Sequence, residues 1–193
     1  LLSSTKTSAF TGVVGGIVGT VRGGSVTLKD STSYYKISAK DVTDSVIGGM
    51  IGSVEASELL TADATKVLLA SDSNASVMIE DNGQGNNILG GVIGQVSGGA
   101  EVGIDGIETG DVNAEDDIYA ITMETDYTGG LNGDRIAGGI IGKVKGPEVV
   151  VEMADVTNRL SILADDNRSR SGYFPGGLTG YSEHAILQLH DTY

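Results

Sequence analysis

Gly15-Gly16-Ile17-Val18-Gly19-Thr20-Val21 returns four times further along the chain. The later versions are Gly48-Gly49-Met50-Ile51-Gly52-Ser53-Val54, Gly90-Gly91-Val92-Ile93-Gly94-Gln95-Val96, Gly138-Gly139-Ile140-Ile141-Gly142-Lys143-Val144 and a looser Gly176-Gly177-Leu178-Thr179-Gly180-Tyr181-Ser182. Their leading glycines stand 33, 42, 48 and 38 residues apart. Recurrence on this scale is the signature of a repeat architecture, in which neighbouring repeats bury one another's apolar faces. The chain, 1–193, is therefore read as one repeat domain with units near 15, 48, 90, 138 and 176.

Between the units the pattern is that of strands. Ser25-Val26-Thr27-Leu28-Lys29, Val77-Met78-Ile79, Ile118-Tyr119-Ala120-Ile121-Thr122-Met123 and Val149-Val150-Val151-Glu152-Met153 are short alternating runs bounded by Gly, Asn, Asp and Ser. Glycine, at 30 residues, is too frequent for long helices. The two prolines, Pro147 and Pro175, both sit beside glycine as turn residues do. Glu55 to Leu60 and Glu183 to Leu187 carry the best helical alternative, but helices this short need tertiary support. The fold class expected is all-β: a β-solenoid, or β-helix-like repeat, of parallel stacked strands with roughly three strands per repeat. The unequal spacing puts insertions in loops that project from the stack, as at Asp81 to Asn87, Gly103 to Asp117 and Asp126 to Asp134.

Read as one continuous strand, the repeated unit puts positions three, five and seven on one face and four and six on the other. Position six is Thr, Ser, Gln, Lys and Tyr in turn, which marks its face as outward. Position four is aliphatic in four of the five copies: Val18, Ile51, Ile93 and Ile141. This places an aliphatic stripe on the outer face, either under the chain's own loops or against another subunit. Ile17, Met50, Val92 and Ile140 are expected to form the interior ladder, with the five units as adjacent strands of one sheet.

The Gly-Gly-Ile-Val-Gly-Thr-Val and Gly-Gly-Ile-Ile-Gly-Lys-Val units resemble the GLUG-type repeats, named for Gly-Leu-hydrophobic-Gly, of large secreted or surface-attached microbial proteins. The resemblance implies an extracellular, cell-surface β-rich module and transfers no catalytic residue. The variable spacing departs from a regular tandem array.

A net charge of −14 disfavours nucleic acid and anionic lipid as partners, since both are bound through Lys and Arg. No apolar run approaches the length needed for a membrane-spanning helix. Without cysteine the chain forms neither disulfides nor thiolate metal sites. Asp111, Asn113, Glu115 and Asp117 alternate, so an extended segment presents four oxygen donors to one side; they are the candidate calcium ligands. Asp165, Asp166, Asn167 and Ser169 form a second polar cluster, and neither cluster has the spacing of an EF-hand loop. The glycines do not match a nucleotide-binding fingerprint. Ser182, His184 and Asp191 supply triad residue types at a spacing that carries no geometry. Glu80, Asp81, Asp116 and Asp117 are candidate carboxylates for glycoside hydrolysis, but tryptophan platforms for sugars are absent.

The expected function is structural: a cell-surface repeat protein, not an enzyme and without an obligatory cofactor. It is expected to self-assemble as a homo-polymer, through stacked or lateral β contacts, into an extracellular layer, sheath or fibre. The alternative is the stalk or ligand-binding module of a surface adhesin. A polysaccharide-active β-helix enzyme ranks third.

Overall fold

The computed structural model describes residues 2–3, 12–39, 43–56, 65–70, 73–81, 85–110, 120–123, 133–164 and 172–193. Among these residues there is no helix. After β1 (Leu2–Ser3), the first coil holds β2 (Val13–Gly15), β3 (Val18–Arg22), β4 (Ser25–Leu28) and β5 (Thr32–Ala39). The second holds β6 (Val46–Gly48), β7 (Ile51–Glu55), β8 (Lys66–Leu69) and β9 (Asn74–Asp81). The third holds β10 (Asn87–Gly90), β11 (Ile93–Ser97), β12 (Glu101–Asp105), β13 (Glu108–Thr109) and β14 (Ala120–Met123). The fourth holds β15 (Arg135–Gly138), β16 (Ile141–Lys145), β17 (Val150–Ala154), β18 (Thr157–Asn158) and β19 (Ser161–Ala164). The fifth holds β20 (Tyr173–Gly176), β21 (Thr179–Glu183) and β22 (Ile186–His190).

Corresponding strands of successive coils pair in parallel and in register, giving a β-solenoid. The first sheet is β2-β6-β10-β15-β20, the second β3-β7-β11-β16-β21 and the third β4-β8-β12-β17-β22. The fourth begins β1-β5-β9, after which the long strand is split into β13 with β14 and then β18 with β19. The expected parallel solenoid is thus what the chain forms, with four walls in place of three.

The repeated unit straddles a corner. Its first glycine closes a strand of the first sheet, two residues make the bend, and position four opens a strand of the second sheet. The expectation of one strand per unit is corrected on this point: the units stack as neighbours, but each is shared between two sheets. The bend carries the ladder through, with the Gly49 N–H donating to Gly90 O and the N–H groups of Met50 and Ile51 both donating to Val92 O.

Steric exclusion explains the glycines. A Cβ on Gly90 would fall 1.8 Å from Ile93 O and 2.8 Å from Gly142 N in the next coil. A Cβ on Gly91 would lie 2.0 Å from Gly139 O, and one on Gly94 2.5 Å from Gly52 O in the preceding coil. None of these three has positive φ. Close backbone approach, the second use of glycine, is what the unit demands. The corner from second to third sheet, by contrast, needs a left-handed backbone at Gly23-Gly24 and Gly98-Gly99. The corner into the fourth sheet places Asp30, Gly106 and Asp155 at positive φ, a conformation Asp and Gly tolerate better than most residues.

The interior contains two apolar columns. One, within the second, third and fourth sheets, includes Met50, Val92 and Ile140 together with Val67, Val102 and Val151 and Leu69, Ile104 and Met153. The other, between the first and fourth sheets, stacks Ile37, Ile79 and Ile121 against Ile47 and Leu89. Each fully buried aliphatic side chain in these columns is worth about 1.5–3 kcal/mol relative to exposure. Burial fades at the ends of the stack, where Val13 and Ile17 of the first coil and Leu189 of the fifth are exposed.

Substituting valine for Gly90 or Gly94 must therefore force backbone apart in the middle of the stack. The expected result is loss of more than about 4 kcal/mol, the range of severe overpacking and strain. It is read as loss of the β signal in far-ultraviolet circular dichroism, or as a lowered urea midpoint.

Candidate functional site

The stripe at position four faces inward. Ile51, Ile93 and Ile141 are completely buried in the main apolar column, and Val18 packs against it from the end coil. The outward assignment is corrected because it counted alternation through the corner. Position five has no side chain, lies against the first sheet and is skipped in the register, which runs Ile51↔Ile93, Ser53↔Gln95, Val54↔Val96. Positions four and seven consequently point inward together, while Gln95 and Lys143 at position six are partly exposed.

The calcium candidates Asp111, Asn113, Glu115 and Asp117 lie outside the described residues, as does the cluster at 165–169. In sequence, Asp111 to Asp117 fall between β13 and β14. Among the described residues no group of three His, Cys, Asp or Glu is close enough to hold a metal ion. Of the carboxylate candidates, Glu80 and Asp81 are neighbours on β9 and so point to opposite sides of its sheet. Glu80 meets Lys36 at 2.6 Å on the surface, whereas Asp81 is buried, so the two do not flank one cleft. Ser182 aligns with Val144 of the inward column at position seven, and His184 occupies an exposed turn with φ 52°.

Asp81 anchors a buried polar network that crosses three coils. Asn87 Nδ2 donates to both Asp81 carboxylate oxygens at 3.1 Å. Arg135 Nη1 lies 3.5 Å from Asp81 Oδ2 and 3.4 Å from Asp81 O. Asn87 Oδ1 accepts from the Ser45 N–H at 3.1 Å. Both charged side chains are essentially withdrawn from solvent. Asn87 and Arg135 are register partners opening β10 and β15, so the network pins the second, third and fourth coils where the fourth sheet passes into the first. Sequence reasoning missed it. The available signal was a charged residue at the inward position that closes Val77-Met78-Ile79-Glu80-Asp81.

The outer face of the third sheet holds a shallow concavity of about 510 Å³. Gly103 leaves the notch, with Leu68, Thr27 and Glu152 around it and the Lys66–Glu101 ion pair, 2.6 Å, along one side. An exposed leucine beside fixed charges can support an extended ligand by contact. Cross-coil ion pairs recur on the second sheet: Arg22–Glu55 at 2.5 Å and Lys145–Glu183 at 3.1 Å.

Comparisons with protein families, with curated proteins and with solved structures found no significant match to this chain. What the chain does is therefore argued from its geometry.

Two tests follow from these side chains. Replacing Arg135 with Met leaves the Asp81 carboxylate buried without its cation, and a loss of about 3–5 kcal/mol is expected. Pairing that change with Asp81→Leu should recover a large part of the loss in urea titrations, because two charges are removed together. Glu183 titrates below the ordinary glutamate range, chiefly because Lys145 donates a hydrogen bond to it and secondly through the charge of Lys145. A lowered folded-state pKa means that its contribution to stability is present above the unfolded value and disappears as pH falls through the folded one. Glu183→Gln should therefore leave stability at neutral pH within the small range of surface pairs and slightly flatten the acid limb, as read by thermal melts between pH 3 and 7.

Proposed function

We propose that this protein is a structural unit of the cell surface that polymerises into an extracellular layer, sheath or fibre. The observation that carries the proposal is the parallel in-register ladder, in which one coil is laid on another like it. The in-register ladders run undiminished to β2, β3 and β4 on one side and to β20, β21 and β22 on the other. Parallel ladders with aliphatic columns stacked between them favour the addition of further like strands.

Net charge opposes this association. At −14 each unit repels the next, and salt shortens the range of that repulsion. Assembly should accordingly strengthen as ionic strength rises from about 0.01 M to 0.15 M, over which the screening length falls from roughly 30 to 8 Å. Sedimentation velocity and negative-stain images of the purified chain provide the measurement. Filaments or sheets that grow with concentration and salt are expected; a monomer under every condition removes the proposal.

A second reading, a ligand-binding module of an adhesin, is favoured by the concavity on the third sheet. It expects a glycan or protein ligand whose binding is abolished by Leu68→Asp while assembly is untouched.

A further inference from the structure

The face that carries the concavity is complementary to itself. On β8 the outward side chains are Lys66 and Leu68; on β12 beside it Glu101 and Gly103 stand in register with them. One strand further out on either side lie Ser25 and Thr27 of β4 and Val150 and Glu152 of β17. We propose that a second copy of this chain packs face to face on the third sheet, related by a two-fold axis that runs along the strands between β8 and β12. Such a pair is closed by its own symmetry and forms whether or not coils add end to end, so the inference goes beyond the polymer reading.

Charge selects this axis. It lays β8 of each copy over β12 of the other, and β4 over β17. Lys66 then faces Glu101 of the second copy, and the two ion pairs, each 2.6 Å within its own chain, become a ring of four alternating charges. Thr27 faces Glu152, whose carboxylate gains a hydroxyl donor, and Ser25 faces Val150. Shifting the axis onto β12 would oppose Glu101 to Glu101, and shifting it onto β8 would oppose Lys66 to Lys66. Between β12 and β17 it would set Lys66 over Ile186 and Leu68 over Gln188. Exposed ion pairs add little affinity, whereas like charges brought together exclude a register.

Relief matches as well. Gly103 has no positive φ, and among the described residues the one atom within 4 Å of where its Cβ would stand is Leu68 Cδ1, at 3.2 Å. That atom ends a flexible side chain, so the fold of a single chain does not demand glycine here. Leu68 leans over the notch and remains 45 % exposed. Two sheets packed about 10 Å apart bring both leucines into the space above the two glycines, where they meet about the axis. With about 4.8 Å between strands and 3.3 Å per residue, the four overlapping strands cover on the order of 300–400 Å² per copy. An area of that size makes a weak, reversible pair.

The test uses the whole chain at about 0.15 M salt, where the repulsion between two chains of charge −14 is screened beyond roughly 8 Å. Lys66→Glu leaves four carboxylates around the axis and Glu101→Lys leaves four ammonium groups. Each variant alone should pair at least about tenfold more weakly than wild type in sedimentation equilibrium. Mixed in equal amounts, the two should pair at least as tightly as wild type, because every acid then faces a base. Melting midpoints should stay near that of wild type, since both side chains are exposed. Leu68→Asp should also weaken wild-type pairing about tenfold or more. A mixture that associates no better than its components overturns the proposal. So does a Leu68→Asp chain that associates as wild type does, a result that leaves the concavity to a ligand. Filaments that form equally well from all these chains, with no added pairing in the mixture, overturn this contact and leave the polymer reading standing.

Discussion

Where the first sheet turns into the second, backbone touches backbone. Position one of each unit is pressed against position five of the next coil, and position two against the carbonyl of its own counterpart. No side chain fits at these three points, so the bend has the same two-residue form in every coil. Everything else is built outward from that constraint. The bend aligns the coils, the alignment puts like residues above like, and the resulting columns of Val, Ile, Leu and Met fill the interior. The other corners carry no comparable restriction. Between the second sheet and the third, Gly23-Gly24 and Gly98-Gly99 make the turn in two coils and Gly146-Pro147-Glu148 in another.

A stack of this kind has few specific contacts to fix its register beyond the glycine bend. The buried Asp81–Asn87–Arg135 network provides one, bridging three coils on the side of the molecule where the connections are longest. Desolvation of the two buried charges offsets their attraction, so the pair adds little net stability over an apolar pair of the same volume. Its contribution to register is clearer: a slip by one residue would strand Arg135 among aliphatic side chains without its carboxylate. The surface ion pairs between coils add little energy individually, but they place unlike charges on adjacent coils of an acidic protein.

The role proposed for this chain rests on its stacked parallel ladder more than on any cleft. Of the candidate carboxylates, Glu80 meets Lys36 on the surface and Asp81 meets Arg135 in the interior, on opposite sides of one sheet. Pro175, opposite Ala137, leaves β20 without one N–H donor on the side away from β15.

The sequence by itself determined the repeat, the all-β class and the parallel stacking. Five glycine-bearing units with alternating runs between them have few other ways to bury their apolar residues. Column partners such as Met50, Val92 and Ile140 were legible because identical positions of a repeat stack. Only the tertiary structure decided that the unit is a corner. Period-two alternation holds along a strand and fails across a bend, so Ile51, Ile93 and Ile141 went from an expected outer stripe to the deepest part of the core. The Asp81–Arg135 contact was equally hidden, because its partners are far apart in sequence and meet only when one coil closes over another. The reason is general to solenoids: a repeat announces what lies above what, whereas the direction each side chain faces depends on where the chain turns.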